Sequence, residues 1–289
     1  MFRHVVKSKN LTEDLLSPEI MLTIFALLIL TSGMVTAWLI PKQIWPKQNT
    51  YKNITSILPD LYKCERTMYT IRICLPYSMD SIKSYLASGN RDLDWPRFEP
   101  YYIPELHLNF AHARIRRMTL FNMNIYEVTN YKINNVVADD KVSMITFDAY
   151  FPRICMYARY DIEYLEHNRY FRISGDSINM RFWDVTATID MDGIFYNNTN
   201  GEEMFRVSRV LIKFSVKDPQ FYIYLSDEDD IKTISSLADY MNNNTEEMAE
   251  DIRFVVNTIV ADIIKKTANS IYTKFPIKTL MPNYRLSDY

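Results

Sequence analysis

Glycine, cysteine and histidine are all scarce in this sequence, which has 5, 3 and 4 of them among its 289 residues. Loops that cradle phosphates and turns that expose a nucleophilic serine both depend on closely spaced glycines. Neither G-x-G-x-x-G, nor a Walker loop, nor G-x-S-x-G occurs in the sequence. The sequence therefore carries no motif of a nucleotide-binding enzyme or of a serine hydrolase.

The few histidines do not form a predicted metal or catalytic centre. His107 and His112 are five residues apart in a predicted strand, which places them on opposite faces, and no cysteine or acidic residue accompanies them at a ligand spacing. His167 lies in a predicted hairpin turn, and the acidic run at residues 227–230 lacks the alternating ligands of an EF-hand. We therefore predict no catalytic residue, no metal and no cofactor, and we expect that the protein is not an enzyme.

An excess of charge of one sign is also missing, since 33 lysines and arginines stand against 35 aspartates and glutamates, for a net charge of −2. Proteins that bind nucleic acids usually present a basic surface, so we predict no nucleic-acid partner. Hydrophobic residues, in contrast, make up 48% of the sequence and aromatic residues 14%. This content is enough for a folded protein with a sizeable core.

One long uncharged segment lies at residues 20–40. Its length matches the roughly 20 residues that a helix needs to cross a bilayer. Small residues at Val35-Thr36-Ala37 also fit a signal-peptidase site, so we favour a signal peptide cleaved after Ala37 over an uncleaved anchor, and Met21 is an alternative start of translation. Both interpretations place the main domain outside the cytoplasm, with a membrane contact only through residues 20–40 if they are retained.

Three N-x-T sequons fit this extracellular placement. They begin at Asn53, Asn197 and Asn243, and each lies in a polar stretch where a surface loop could carry a glycan. We therefore predict these three asparagines as glycosylation sites.

The three cysteines allow one disulfide. Cys64 and Cys74 are close in sequence, so they are the pair that we expect in an oxidising compartment, and Cys155 is left unpaired. The alternating pattern around Cys155 places it on the polar face of a strand.

The chain divides into three predicted segments. Residues 1–40 form an N-terminal extension with the signal peptide or anchor, residues 41–57 form a proline-punctuated linker, and residues 58–289 form the main domain. The start of the folded part could be Ile54 or Leu58. Within the domain, residues 76–87 have the pattern of a short helix that ends at Gly89.

The middle of the domain predicts an antiparallel sheet. Residues 96–104 contain three prolines and are predicted to form an extended connector, and residues 107–225 alternate apolar and polar side chains over many short runs. The alternation changes phase near Pro152, after Phe182 and between Val207 and Val210. Such changes indicate bulges or bends, so we predict a strongly curved sheet.

The last quarter of the sequence changes to a helical period. Apolar residues recur at spacings of three, four or seven from residue 245 to residue 275, which predicts one long helix with a broad apolar stripe. A helix that is apolar over so much of its circumference should be covered, and the curved sheet is the available partner. We therefore predict an α+β fold in which the sheet wraps the long helix. Patterning alone fits either a fully packed core or an open space between the two.

Several motifs along the domain form a recognisable set. They are Leu58-Pro59, Cys64, Cys74, Leu86-Ala87-Ser88-Gly89, the stretch from Phe98 to Leu106 that ends in Ile-Pro-Glu-Leu, Lys274-Phe275-Pro276 and Leu280-Met281-Pro282. Together they resemble the juvenile-hormone-binding and takeout-like family of insects. The resemblance covers nearly everything from Leu58 onward. It implies a lipid-binding super-roll related to bactericidal and lipid-transfer modules, and it implies that Cys64 and Cys74 are the N-terminal disulfide of the family.

The resemblance also implies a function, because this family carries hydrophobic ligands. We expect an extracellular, monomeric carrier that binds a terpenoid, a fatty acid derivative or another lipid in an apolar tunnel between helix and sheet. We expect six residues to line the tunnel: Phe147, Tyr160, Phe182, Val256, Ile259 and Ile263. The alternative is a membrane-tethered ectodomain with a filled cavity that acts in interaction or signalling. Asp148, Arg153 and Arg172 make this sequence more polar than that of a typical carrier.

Overall fold

The computed structural model describes residues 53–111, 114–224 and 231–282. The helices in these residues are α1 (Ile54–Ile57), α2 (Met68–Ser81), α3 (Lys83–Ser88), α4 (Ile231–Asn243), α5 (Thr245–Tyr272) and α6 (Ile277–Leu280). The strands are β1 (Tyr101–Asn109), β2 (Ile115–Tyr126), β3 (Lys132–Ala138), β4 (Met144–Glu166), β5 (Arg169–Asn197), β6 (Glu203–Ser215) and β7 (Asp218–Tyr224). The order of elements confirms the prediction of a β-rich middle followed by a long helix.

All strand pairs of the sheet are antiparallel, and the main path runs β1-β2-β4-β5-β6. β3 pairs with β4, and β7 pairs with β5. β4 and β5 are the longest strands, and a two-residue turn at His167 and Asn168 connects them, with φ angles of 48° and 61°. Two successive positive φ angles match the twist of a hairpin, so the turn predicted at His167 is confirmed.

The long hairpin changes its inward face partway along both strands. In β4 the buried residues Ile145, Phe147 and Ala149 are followed, beyond Pro152, by buried residues of the opposite parity, of which Tyr160 is one. In β5 the same change occurs at Asp184, which has a φ of 48°. The paired changes bend both strands at one level, as the predicted phase shifts required.

One detail of this bend differs from the prediction. The phase change after Phe182 predicts that Trp183 lies on the same inward face as Val185. In the structure Trp183 lies beside the guanidinium of Arg153, whose Cζ is 5.3 Å from the ring centroid, and it belongs to neither apolar core. The inward-facing apolar residues of β5 beyond the bend therefore begin at Val185 and not at Trp183, because the bend lies at Asp184.

The predicted phase change in β6 coincides with a register shift. Phe205 and Val207 are buried, and burial resumes at Val210, while the pairing with β5 shifts between Asp192 and Gly193. A Cβ atom on Gly193 would overlap the ring of Phe205. Gly193 therefore lets the aromatic ring lie against the neighbouring strand at the bulge.

The proline-rich stretch at residues 96–104 ends inside a strand. β1 begins at Tyr101 and includes Pro104, and it pairs with β2 alone at the edge of the sheet. An edge strand tolerates proline because one row of its backbone N–H groups has no strand partner. The prolines thus exclude a central strand, as predicted, and the extended connector continues into the edge strand.

The first long helix begins earlier than the sequence predicted. The prediction covered residues 76–87, whereas α2 starts eight residues before Pro76 and α3 follows it after a break. Thr67 is the N-cap of α2, and its hydroxyl accepts a hydrogen bond from the backbone N–H of Thr70 at 3.1 Å. This cap starts the helix upstream, so Pro76 falls in its interior. α3 ends at Gly89 with a φ of 79°, as predicted.

The short helix α1 lies inside residues 41–57, the segment predicted to be a linker. Ile54 and Ile57 are buried in the core, and the Asn53 side chain accepts a hydrogen bond from the backbone N–H of Thr55 at 3.5 Å. The folded part therefore includes the earlier of the two predicted starts, because these isoleucines pack with the domain. The rest of the linker and the apolar segment at residues 20–40 lie outside the described residues.

The long helix α5 contains 28 residues and is about 42 Å long. It begins at Thr245 after the N-cap Asn244, carries Glu246 and Glu247 in its first turn and ends at Tyr272, three residues before the predicted end. The acidic residues suit the positive end of the helix dipole. In the described ranges of the chain, no helix is both long and apolar enough to cross a membrane.

The buried apolar residues form two separate groups, one toward each end of β4, β5 and α5. The disulfide cluster lies near the N-terminal helices and includes Ile54, Leu58, Cys64, Ile71, Cys74, Leu93, Phe147, Ala187 and Val207. The hairpin cluster lies toward the β4–β5 turn and includes Ile115, Met118, Tyr160, Ile162, Ile178, Leu237 and Met241. The core is therefore divided between the two ends of the sheet.

Candidate functional site

The candidate site is the surface between α5 and the inner face of the sheet. Among the described side chains of α5, Met248 is the one that is buried. The apolar residues that follow it along the stripe of the helix are only partly buried. Elsewhere, the inward residues of the strands reach exposures of 0 to 9%. The apolar stripe of α5 is therefore less completely covered than the inward residues of the strands.

Val256 and Ile259 lie on α5 between the residues that pack against the two clusters, and Ile263 lies one turn further along the helix. Val260, Ala261 and Ile264 pack against the disulfide cluster, and Val255 and Ile252 pack against the hairpin cluster. Val256, Ile259 and Ile263 are partly buried and pack against neither cluster. The structure thus brings these three together on the middle turns of α5.

The three predicted lining residues of the sheet are distributed differently. Phe147 is 7% exposed within the disulfide cluster, and Tyr160 is 1% exposed within the hairpin cluster, so they lie in different cores. Phe182 is partly buried at the margin of the hairpin cluster, and its ring meets that of Phe221 edge-on at 6.0 Å. Of the three, Phe182 shares the incomplete burial of the helix residues.

Tyr160 is held by its hydroxyl as well as by packing. The hydroxyl donates a hydrogen bond to the backbone carbonyl of Tyr224 at 3.2 Å. A Cβ atom on Gly175 would overlap the Tyr160 ring, so this glycine allows the ring to lie directly against β5. The ring is therefore fixed within the hairpin cluster.

Tyr272 lies in the last turn of α5, and its side chain is partly buried. Burial raises the pKa of its hydroxyl above the ordinary value for tyrosine, because the charged form would lose its hydration. The same side chain is only partly buried, and its ring meets Phe205 edge-on at 5.2 Å. Tyr272 is therefore a partly buried aromatic residue at the C-terminal end of the helix stripe.

Asn257 belongs to this inner surface, and sequence reasoning missed it. It precedes Val260, Ala261 and Ile264 by three, four and seven residues, so it shares their helix face. Its Oδ1 atom is buried without a hydrogen-bond partner in the described part of the chain. The only signal in the sequence was a polar residue interrupting an apolar stripe.

The charged residues of the middle strands are paired away from this surface. Asp148 alternates with the buried Phe147 and accepts a hydrogen bond from the Thr188 hydroxyl at 2.7 Å. Arg153 forms a salt bridge with Glu127, and Arg172 forms one with Asp161. These residues therefore leave the inner surface apolar, although they make the sequence polar.

The predicted disulfide is confirmed, since Cys64 and Cys74 are bonded and both are buried. Cys155 is free, and it is 7% exposed although it lies on the outward face that the sequence predicted. Burial is the main cause that raises the pKa of its thiol. A thiol of this kind is protonated and weakly nucleophilic near neutral pH.

The predicted glycosylation sites have exposed asparagines. Asn53 caps α1, Asn197 is the last residue of β5 and Asn243 is the last residue of α4. An exposed asparagine at the end of a helix or strand leaves room for a glycan. Glycosylation of these residues stays a prediction.

The side chain of His107 contacts neighbouring residues of the sheet. His107 Nδ1 lies 3.2 Å from the Thr119 hydroxyl, and its Nε2 lies 3.4 Å from Glu105. His112 lies outside the described residues. Across residues 53–111, 114–224 and 231–282, no group of three or more histidine, cysteine, aspartate or glutamate side chains could hold a metal ion.

Comparisons with known proteins agree with this architecture. The family profile described as haemolymph juvenile hormone binding protein matches residues 49–282. The crystal structure of takeout 1 from Epiphyas postvittana is similar with a TM-score of 0.64 and 17% sequence identity, over 76% of this chain and 99% of that one. The resemblance seen in the sequence is thereby confirmed, as is the predicted fold, a long helix wrapped by a highly curved antiparallel sheet.

A more distant likeness adds nothing to this conclusion. The crystal structure of lipopolysaccharide binding protein aligns with a TM-score of 0.38 and 12% identity, over 73% of this chain and 40% of that one. No curated protein sequence matches the chain.

Proposed function

Because this chain belongs to the haemolymph juvenile hormone binding protein family, we propose that it is an extracellular carrier that holds a small hydrophobic ligand between α5 and the sheet. Its role is binding without chemistry, and the ligand class is a terpenoid, a fatty acid derivative or another lipid. The proposed site is an apolar tunnel lined by Phe182, Val256, Ile259 and Ile263. Phe147 and Tyr160 belong to the packed ends of that tunnel.

The observation that carries this proposal is the partial burial of the apolar stripe of α5 between two separate cores. A packed interior would bury Val256, Ile259 and Ile263 as fully as it buries the inward residues of the strands.

The size of the hydrophobic effect is sufficient for such a role. A ligand that buries roughly 300 Å² of apolar surface gains about 7 kcal/mol, before the loss of its own freedom is subtracted. The contact surface needs no charged group to reach this value. Shape and length of the apolar chain should therefore dominate the choice of ligand.

The proposal is tested by extraction and by a matched pair of variants. Lipid recovered from the purified protein by organic solvent would be identified by mass spectrometry, and uptake of a fluorescent hydrophobic probe would be titrated. Ile259→Trp fills the proposed tunnel, whereas Thr258→Trp adds the same ring to the exposed face of the same helix turn. We expect the first variant to weaken probe binding at least about tenfold, or about 1.4 kcal/mol, and the second to bind as the parent does.

A contrary result would be unambiguous. If the parent protein yields no lipid and takes up no probe, or if both tryptophan variants bind the probe equally well, the interior does not hold a ligand.

The extracellular placement rests on the disulfide and the exposed sequons. The protein secreted from insect cells should lack the residues before Trp38 when its N-terminus is sequenced, and glycosidase treatment should lower its apparent mass. Retention of residues 20–40 would instead support the membrane-tethered alternative, in which the domain does not diffuse.

A further inference from the structure

We infer that the outer face of α2, together with Tyr62, docks the protein on the surface of an anionic lipid bilayer. This inference goes beyond the proposed function, since it concerns the outside of the domain and not its interior. The sequence predicted a membrane contact only in residues 20–40. The outer face of α2 provides a second contact, which needs neither an anchor nor a spanning helix.

The docking surface consists of four apolar side chains, Tyr62, Tyr69, Ile73 and Tyr77, which are between 55% and 72% exposed. The three residues of α2 recur at spacings of four, so they form a row along one face of the helix. The Tyr62 ring extends this row, because its centroid lies 6.0 Å from that of Tyr77. The four side chains therefore lie side by side in one patch.

The buried face of α2 and the disulfide hold this patch in place. Ile71 and Cys74 of the same helix are buried in the disulfide cluster. The bond from Cys74 to Cys64 ties α2 to the segment that carries Tyr62, and the Tyr62 backbone N–H donates to the Ser81 hydroxyl at 3.0 Å. The patch is therefore preformed, so contact with a bilayer costs little conformational entropy.

The size of the patch favours a membrane over a second copy of the chain. Three tyrosines and one isoleucine at this exposure present roughly 400 Å² of surface, the size of the largest patches on monomeric proteins. Two such patches would bury about 800 Å² in a dimer, less than the roughly 1,200 Å² of the smallest stable interfaces. A fluid bilayer adapts to the shape of the patch, and binding there increases with the apolar area that is buried.

The residue types suit the interface region of a bilayer. A tyrosine ring is apolar and its hydroxyl is polar, so tyrosine is enriched where one end of a side chain is dry and the other is wet. Ile73 lies between Tyr69 and Tyr77 in the row and adds a purely apolar side chain. The patch therefore fits insertion to the depth of the lipid headgroups.

The charges near the patch favour anionic lipids. Arg72 is exposed beside Ile73 and has no acidic partner in the described part of the chain. Asp80, the acidic residue on the same face, is paired with Lys83 at 2.6 Å. Residues 41–83 contain seven lysines and arginines against three aspartates and glutamates, although the whole chain has a net charge of −2. This part of the chain is therefore basic, and basic residues near a membrane surface are attracted to anionic lipids.

Sedimentation with lipid vesicles tests the inference on the protein secreted from insect cells. One set of vesicles is phosphatidylcholine, and the other contains equal parts of phosphatidylcholine and phosphatidylserine. We expect the protein to bind the anionic set at least about fivefold more tightly, and this preference should weaken at high salt. Failure to sediment with the anionic vesicles, or equal affinity for both sets, would overturn the inference.

A matched pair of double variants assigns the binding to the patch. Tyr69→Ser with Ile73→Ser removes two of the four apolar side chains and should lower the affinity for anionic vesicles at least about tenfold. Tyr170→Ser with Ile231→Ser removes the same residue types from β5 and α4, where they are 59% and 57% exposed, and should bind as the parent does. Equal binding by the two double variants would exclude the patch as the docking surface.

A charge variant separates the two contributions to binding. Arg72→Gln should lower the affinity for the anionic vesicles about fivefold and leave the affinity for phosphatidylcholine vesicles unchanged. An unchanged affinity for the anionic vesicles would contradict the charge preference of this surface.

Two measurements without vesicles test the other ways to cover the patch. Tyr69→Ser with Ile73→Ser should unfold at the same temperature as the parent, because both side chains are exposed. A large fall would mean that another segment of the chain covers this face, and it would overturn the inference. Both proteins should be monomers in analytical ultracentrifugation. A parent dimer that the double variant disperses would instead make the patch an interface between copies.

The result is independent of the carrier function. Vesicle binding involves the outer face of α2, whereas probe uptake involves the surface between α5 and the sheet. Tyr69→Ser with Ile73→Ser should therefore take up the fluorescent hydrophobic probe as the parent does. Vesicle binding can fail while the carrier function stands, and loss of probe uptake in the parent leaves the vesicle result unaffected.

Discussion

The two ends of the molecule hold helix α5 by different kinds of contact. At the disulfide end, the Trp95 indole donates to the Ser270 hydroxyl at 2.6 Å and to the Thr267 carbonyl at 3.2 Å. Asn269 makes its two hydrogen bonds to the backbone of Val207 nearby. These directional bonds fix the rotation and the register of the C-terminal half of α5.

At the hairpin end, the contacts of the N-terminal half of α5 with the described residues are mainly apolar. Met248 is buried there, and Ile252 and Val255 pack beside it. The Asp251 carboxylate adds a hydrogen bond from the backbone N–H of Ala111 at 2.9 Å. Apolar contacts are not directional, so they permit a helix to shift with little loss of free energy.

The difference suits a carrier in which one half of α5 is fixed by hydrogen bonds and the other half can move to admit a ligand. The C-terminal half of α5 is held by the core that contains the disulfide, and the N-terminal half covers the proposed tunnel more loosely. We expect ligand entry to depend on movement at the hairpin end. Substitutions at either end of α5 test this difference, and we expect them to lower the stability of the protein by different amounts.

The largest effect is expected from Tyr160, the most enclosed aromatic residue of the hairpin cluster. Tyr160→Ala should lower the free energy of unfolding by about 4 kcal/mol, because it removes a buried ring and leaves a cavity over Gly175. Tyr160→Phe is the control and should cost about 1 kcal/mol, for the lost bond to the Tyr224 carbonyl. Chemical denaturation measures both.

A small effect of Tyr160→Ala, similar to that of the phenylalanine variant, would contradict this reasoning. It would mean that apolar packing around Tyr160 is not what holds the hairpin end together.

The next effect concerns the disulfide end. Replacing Cys64 and Cys74 together by alanine should destabilise the domain by about 3 kcal/mol, because it frees a loop of 10 residues in the unfolded chain. Cys155→Ala also removes a buried sulfur but opens no loop, so it should cost clearly less. Thermal unfolding of the three proteins under non-reducing conditions provides the measurement. Equal losses would show that packing of sulfur, and not loop closure, is what matters.

A smaller effect separates the two asparagines of α5. Asn269→Leu should cost about 2 kcal/mol, because the N–H and carbonyl groups of Val207 would both lose their side-chain partner. Asn257→Leu changes the same residue type on the same helix and should cost nothing measurable. Urea titrations of both variants test the contrast, and a reversed order would remove the distinction between the fixed and the loose half.

Much of the fold could be predicted because burial sets the sequence period. The alternation around Phe147 and around Tyr160 required a change of face near Pro152, and both strands of the hairpin bend there. The start of α2 could not be predicted in this way. It depends on a hydroxyl of Thr67 that caps the helix, which begins eight residues before Pro76, the predicted start.

The candidate site was predictable only in part. Periodicity identified Val256, Ile259 and Ile263 as one face of a helix, but it could not tell a packed face from an open one. That distinction depends on how two cores meet in space. Asn257 was missed for a related reason, since a polar residue in a helical pattern is normally solvated, and only the coordinates show that its oxygen is buried.

The smallest effect is expected from Asp251 at the hairpin end. Asp251→Ala should cost at least about 0.5 to 1 kcal/mol, because the contacts of its carboxylate are lost, among them the partly exposed hydrogen bond from the Ala111 N–H. If the N-terminal half of α5 is the loosely held half, this variant should speed amide hydrogen exchange there and leave the turns around Asn269 unchanged. Mass spectrometry of deuterated peptides resolves the two halves. Faster exchange along the whole helix would mean that α5 opens as one unit, and entry could then occur at either end.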